Sequence, residues 1–174
     1  MELDKDRTKS ESAGKPEDCD YDWPFLVEEL NSYLRLRTTP IGMKLFESVE
    51  SMEAIEKIRR PSAIHTADQI VAQACRLNWT VGITAADLVG KQCSAVLGLS
   101  EHDEQWKSGK NMAGVWFESG EDARSHQAAM NVVPSGKWKA MAVAPLVSGR
   151  LDPPDICLIY ATPAQMILLV NGLQ

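Results

Sequence analysis

The chain has 174 residues, 44% of them hydrophobic and 24% charged, which suits one hydrophobic core and is too short for two comfortable domains. Its net charge of −6 argues against a nucleic-acid surface, because phosphate contacts need clustered Lys and Arg. No apolar run approaches the ~20 residues that a membrane span requires, and the charged N-terminus lacks a signal segment. We therefore expect a cytoplasmic protein with reduced cysteines, without a membrane or nucleic-acid partner.

Residues 1–20 are rich in charge and nearly free of apolar side chains, which predicts a disordered acidic tail. A single α+β domain is expected over residues 21–174. It begins with a helix, because Asp22 can cap the helix and Pro24 suits its first turn. Alternating side chains then predict a strand at 41–46.

The same criteria extend the prediction to the rest of the domain. Helices are expected at 51–58, 68–77, 84–97 and 121–130, strands at 80–83, 138–146 and 155–160, and a long loop at 100–120. Asp68 is the predicted cap of its helix, and Gly90 favours a break just before Cys93. Strand 155–160 is mostly apolar, which predicts burial on both faces. These elements indicate an α+β (or mixed α/β) fold, in which helices pack on a small mixed sheet.

The C-terminal helix is apolar without interruption over Met166–Val170. Thr162 can cap this helix, and Pro163 suits its first position. A helix that is hydrophobic all round must be buried, so it either inserts into this chain's own core or is covered by another polypeptide. We expect a hetero-oligomer in which a second subunit packs on the 163–171 helix and completes the compact domain.

Two cysteines, Cys75 and Cys93, lie in stretches that read as helical. In a reducing compartment such cysteines are more often thiolate ligands or reactive thiols than halves of a disulfide. They are therefore candidate metal ligands, and the alternative is that both are buried, small apolar side chains. Two thiolates do not complete a zinc or iron–sulfur site, so further ligands would come from a second chain, or from His65 or His102.

Two further residues are candidate catalytic groups. Lys44 projects from the predicted strand on the side opposite the apolar stripe, where it could contact an anion in a cleft. The alternative is an ordinary surface lysine. His102 is flanked by Glu101 and Asp103 in the long loop, and the alternative is a surface histidine without a catalytic role.

Several segments resemble, in their order and spacing, the family called domain of unknown function 169, also labelled ArCR. The resemblance spans roughly residues 26–174. It rests on Leu34–Lys44, Cys75, Thr84–Leu88, Cys93–Gly98, Ala144–Leu146, Pro154–Ile156 and Thr162–Met166. Members look longer and bring further cysteines in a second half, so this chain corresponds to the N-terminal portion of the pattern. The resemblance implies that Cys75 and Cys93 belong to an iron–sulfur cluster or other metal site.

Together these features predict a subunit of a multi-chain metal- or iron–sulfur-dependent enzyme, of redox or lyase type, that acts on a small organic substrate. The alternative is a non-catalytic binding or scaffold subunit of an enzyme complex, in which the cysteines are structural. A third hypothesis is a small-molecule sensor whose aromatic pocket is lined by Trp106, Trp116 and Trp138.

Overall fold

A computed structural model describes residues 21–129 and 133–172. The helices in these ranges are α1 (Trp23–Leu34), α2 (Val49–Glu53), α3 (Ala67–Leu77), α4 (Lys91–Val96), α5 (Glu104–Lys107), α6 (Gly120–Ala129) and α7 (Pro163–Gly172). The strands are β1 (Ile41–Phe46), β2 (Ile58–Arg59), β3 (Thr80–Ile83), β4 (Ala140–Pro145) and β5 (Ile156–Leu158). The predicted tail at 1–20 lies outside the described residues, as does Met130 at the end of a predicted helix.

The strands form one five-stranded sheet in the order β2-β3-β4-β1-β5. The short β2 runs parallel to β3, and every other neighbouring pair is antiparallel. The expected α+β fold with a small mixed sheet is therefore confirmed. None of the described helices combines the length and the apolar content that crossing a bilayer would require.

The central strand β4 is buried along its whole length. Met141 and Val143 point into a core cluster that includes Ile70 of α3, whereas the alanines at 140, 142 and 144 join a second cluster around Met52. Because side chains alternate along a strand, the two clusters lie on opposite faces of the sheet. The small alanines let α2 approach the sheet closely on their side.

Two helix starts differ in how well the sequence predicted them. Helix α3 begins at Ala67 with Thr66 as its cap, so the prediction of Asp68 as the cap is wrong. Gln69 reaches back and accepts a hydrogen bond from the Thr66 N–H (3.0 Å), the arrangement of a capping box. The predicted break at Gly90 is confirmed, because this glycine has a φ of 79° and α4 starts at the next residue.

Two other elements depart from the predicted pattern. The helix expected at 51–58 ends at Glu53, because Ile58 and Arg59 pair with β3 instead. Strand β5 has two exposed residues and one half-buried residue, so the prediction that both its faces are buried is wrong. Ile156 in this strand is 40% exposed.

Candidate functional site

The two candidate metal ligands lie on different helices, Cys75 in α3 and Cys93 in α4. Both thiols are free and half-buried, and both pack against the same core cluster. Within residues 21–129 and 133–172, no group of three or more His, Cys, Asp or Glu side chains could hold a metal ion. The described residues of this chain therefore do not form a metal site by themselves.

Lys44 occupies a structural position on β1. Its ammonium group donates a hydrogen bond to the carbonyl oxygen of Asp152 (2.9 Å). The Asp152 carboxylate accepts the indole N–H of Trp23 (2.6 Å), and the Asp155 carboxylate accepts the N–H of Leu45 (2.7 Å). These bonds fasten the turn before β5 to β1 and to α1. The catalytic role of Lys44 remains a prediction.

His102 stacks on Trp106, with ring centroids 4.9 Å apart and planes within 10° of each other. Its Nδ1 atom is buried and has no hydrogen-bond partner among the described residues. The carboxylate of the neighbouring Asp103 is bonded elsewhere than to the histidine. It caps α5 by accepting the Trp106 N–H (2.8 Å), and it also accepts a hydrogen bond from the Gln92 side-chain amide (3.0 Å). No hydrogen bond between described side chains joins His102 to Lys44, and its catalytic role remains a prediction.

A cavity of about 540 Å³, hereafter the serine cavity, lies at the break before α4. It is lined by Ala85, Ala86, Leu88, Gly90, Lys91, Ser94, Ser100 and Glu101. The Ser94 hydroxyl donates to the Lys91 carbonyl (2.9 Å) and shares a hydrogen bond with the Ser100 hydroxyl (2.8 Å). Ser94 is only 3% exposed, so its hydroxyl holds the start of the helix. Sequence reasoning missed this cavity, because the cavity arises where the helical structure is interrupted at Gly90 and no sequence motif marks it.

A polar cluster joins the end of β2 to the 3-10 turn at Ala85–Asp87. Arg60 bonds Glu53 (2.9 Å) and Asp87 (2.7 Å), and the Asp87 carboxylate also accepts from the Thr84 N–H and hydroxyl (2.7 and 2.8 Å). Burial acts to raise the pKa of Asp87, but the bonds from Thr84 and Arg60 together outweigh burial and lower this pKa below its ordinary value. The cluster therefore holds an ionised carboxylate in place.

An apolar groove of about 560 Å³ runs between α1 and α7. It is lined by Leu30, Tyr33, Leu34, Ile159, Leu168, Leu169 and Gly172. The Gln165 side-chain amide fastens the start of α7 to the end of α1, donating to the carbonyl oxygens of Leu34 (2.6 Å) and Arg35 (3.3 Å).

Helix α7 itself buries none of its residues. Ile167 is 63% exposed and Leu168 is 57% exposed. Of the two alternatives for this helix, insertion into the chain's own core is therefore wrong for the residues that the structure describes, because β4 and β5 do not enclose it.

A family model for DUF169, described as uncharacterised ArCR, matches residues 29–174. No match was found among curated proteins or among solved structures. Since the match covers most of the chain, this chain belongs to the DUF169 family, as its segments indicated.

Proposed function

We propose that this DUF169 chain is a binding subunit of a multi-chain assembly, in which a second, different polypeptide packs on α7 and fills the apolar groove. The observation that carries the proposal is the exposure of Ile167 and Leu168 on a helix with no buried residue. Burying one such side chain stabilises by about 1.5–3 kcal/mol. Folded proteins are stable by only about 5–15 kcal/mol, so covering α7 is a large gain.

The chemistry of the groove supports a helical polypeptide as its occupant. An apolar trough between two helices suits an amphipathic helix whose apolar side chains repeat at helical spacing. The chain carries a net charge of −6, so a partner with basic residues around its apolar stripe is favoured electrostatically. In a homodimer, two chains that each carry a net charge of −6 would repel each other. Electrostatics therefore favours a different polypeptide over a second copy of this chain.

A metal- or iron–sulfur-dependent enzyme of redox or lyase type, acting on a small organic substrate, is a second proposal for the same assembly. It is supported by Cys75 and Cys93, two free, half-buried thiols on one core cluster. Since the described residues do not complete a metal site, the second polypeptide would have to supply the remaining ligands. Free thiols also support a cytoplasmic location for either version.

Native purification followed by light scattering tests the assembly. We expect a particle larger than the 19.2 kDa chain that contains a second polypeptide at fixed stoichiometry. In a cross-linking experiment, this polypeptide should be joined to α7. Ile167→Asp should release this polypeptide, because it places a charge in the apolar contact. Ile64→Asp is the matched control, since Ile64 is also 63% exposed but lies outside α7.

Two results would overturn the proposed assembly. One is a stable, soluble species of 19.2 kDa, which would show that the chain needs no partner. The other is a particle built only from copies of this chain, which would exclude the different polypeptide.

Anaerobic metal and sulfide analysis of the purified assembly separates the two proposals. The metal-dependent enzyme requires bound iron or zinc that is lost in Cys75→Ser and in Cys93→Ser. The binding subunit requires both variants to keep the second polypeptide and an unchanged metal content. A metal-free assembly excludes the enzyme version.

A further inference from the structure

A cavity of about 460 Å³, hereafter the α1 cavity, lies on the side of α1 away from the apolar groove. The helix contributes Val27, Glu28 and Asn31; Asn31 lies four positions after Val27 and three after Glu28, so it shares a stripe of the helix with both. Arg37 and Thr38, from the segment that leads into β1, form another part of the lining. Sites for small molecules commonly have volumes of about 300–1,000 Å³, and this cavity falls in that range.

One polar atom beside the α1 cavity lacks a partner. The hydroxyl oxygen of Thr38 is shielded from solvent and makes no hydrogen bond among residues 21–129 and 133–172. A buried hydroxyl without a partner is destabilising, because water no longer solvates it. Rotation about χ1 of a threonine exchanges its hydroxyl and methyl positions. A ligand acceptor in the cavity could therefore recruit the hydroxyl and relieve this cost.

Two opposite charges also line the α1 cavity. Arg37 and Glu28 both contribute to its wall, and neither takes part in an ion pair within the described part of the chain. The Asn31 side-chain oxygen accepts the Leu36 N–H (2.8 Å), which fixes the amide and leaves its NH₂ group as a donor. The wall thus offers a guanidinium, an amide donor and a carboxylate.

The ligand class follows from these groups. A guanidinium binds a carboxylate with two parallel hydrogen bonds, and a carboxylate binds an ammonium group. The remaining lining includes the apolar side chains of Val27, Leu36 and Val147, which would accept an aliphatic substituent. A molecule with a carboxylate, an ammonium group and a short aliphatic side chain satisfies all three parts of the wall.

We propose that the α1 cavity binds a small zwitterion of the α-amino-acid class, with its carboxylate on Arg37 and its ammonium group on Glu28. The Asn31 amide and the Thr38 hydroxyl then donate further hydrogen bonds to the ligand carboxylate. This site goes beyond the proposed assembly and does not depend on it, because the groove and the cavity use different stripes of α1.

Calorimetric titration of the natively purified protein tests the site. L-valine is the first probe, isobutyrate supplies the carboxylate alone, and isobutylamine supplies the ammonium group alone. We expect L-valine to bind at least about tenfold more tightly than either fragment, since only the amino acid engages both charges. Equal affinity for a fragment overturns the proposal. So does a failure of every standard amino acid to bind at about 10 mM.

Variants locate the binding on the α1 cavity. Arg37→Gln and Glu28→Gln should each weaken L-valine binding about tenfold or more. Glu29→Gln and Arg124→Gln are the matched controls, because both residues are exposed and lie outside the cavity lining. Unchanged affinity in both cavity variants overturns the proposal. Loss of the second polypeptide in Ile167→Asp with L-valine binding retained would show that the two sites are separate.

Thr38→Val separates binding from folding at the same position. This variant keeps the shape of the side chain and removes the unpartnered hydroxyl. We expect a higher midpoint of thermal unfolding together with weaker binding of L-valine. Unchanged binding would remove Thr38 from the site.

Discussion

Strand β4 and helix α7 are both largely apolar, yet the strand is buried and the helix is not. All six residues of β4 are buried, whereas α7 has no buried residue. The strand lies between two core clusters, whereas in the helix only Gln165 and Leu169 are half-buried and every other residue is exposed. Apolar composition therefore does not decide burial, which depends on whether other elements of the chain cover both sides of a segment.

This contrast divides the described part of the molecule into a side that stabilises the fold and a side whose apolar side chains stay exposed. The sheet, α2 and α3 supply the large, fully buried side chains. The α1 and α7 side exposes apolar area that contributes little to the isolated chain, because that area stays in water. Equivalent substitutions on the two sides should consequently have very different effects.

The largest expected effect comes from shortening isoleucine on the two sides. Ile83 is fully buried in β3, so Ile83→Ala should reduce the free energy of unfolding by about 2–5 kcal/mol. Ile167→Ala removes the same atoms from an exposed position and should change it by about 0.5 kcal/mol or less. Urea unfolding of the isolated chain measures both. Similar losses in the two variants would show that α7 belongs to the core.

A second pair of substitutions adds a methyl group instead of removing atoms. In Gly82→Ala the new Cβ would lie 2.6 Å from side-chain atoms of both Ile58 and Met52, and overpacking should cost about 1–3 kcal/mol. At Gly172 in α7 the space around the new Cβ is open, so Gly172→Ala should be neutral or stabilising. Thermal unfolding compares them, and a stable Gly82→Ala would indicate a loosely packed face beside β4.

Local patterns in the sequence predicted part of the fold well. The bounds of β1 followed from alternation, the extended stretch expected at 80–83 matches β3, and the break at Gly90 followed from the conformational freedom of glycine. Features that depend on distant parts of the chain were not predictable in this way. The exposure of β5 depends on whether other elements of the chain cover its faces, which no local pattern encodes.

The candidate site was less predictable than the fold. The sequence drew attention to Cys75 and Cys93, but whether two half-buried thiols bind a metal depends on ligands elsewhere in space. The α1 cavity had no sequence signal at all, because its charges come from a helix and a loop that meet only in the folded chain. Only the apolar run in α7 pointed from sequence alone to an unusual surface.

A smaller effect is expected from the polar cluster on the sheet side. The pKa of Asp87 is lower in the folded chain than in the unfolded chain. Its contribution to the free energy of unfolding is therefore complete above the unfolded pKa of about 3.9 and is lost as the pH falls through the folded pKa. Asp87→Asn should therefore cost about 1–2 kcal/mol at neutral pH and progressively less in acid. Urea midpoints from pH 7 down to pH 2 measure this. A constant difference across the range would contradict the ionised carboxylate.

The smallest effect concerns the accessibility of thiols. Labelling them compares exposed and buried parts of the chain without changing the fold. Cys157 of β5 is exposed, whereas Cys75 and Cys93 are half-buried against the core. Among these three, iodoacetamide should therefore label Cys157 first. Since partial burial raises the pKa of Cys157 and only the thiolate reacts, its labelling rate should still be rising at about pH 9.

Mass spectrometry of digested samples assigns the labelled positions, and Cys157→Ser is the control that removes the fast-labelled site. This variant should change the free energy of unfolding by less than about 0.5 kcal/mol, because the side chain is exposed. Labelling of Cys75 as fast as that of Cys157 would mean that α3 opens readily. In that case the sheet side would not be the more stable half of the molecule, and its half-buried thiols would be accessible for reaction.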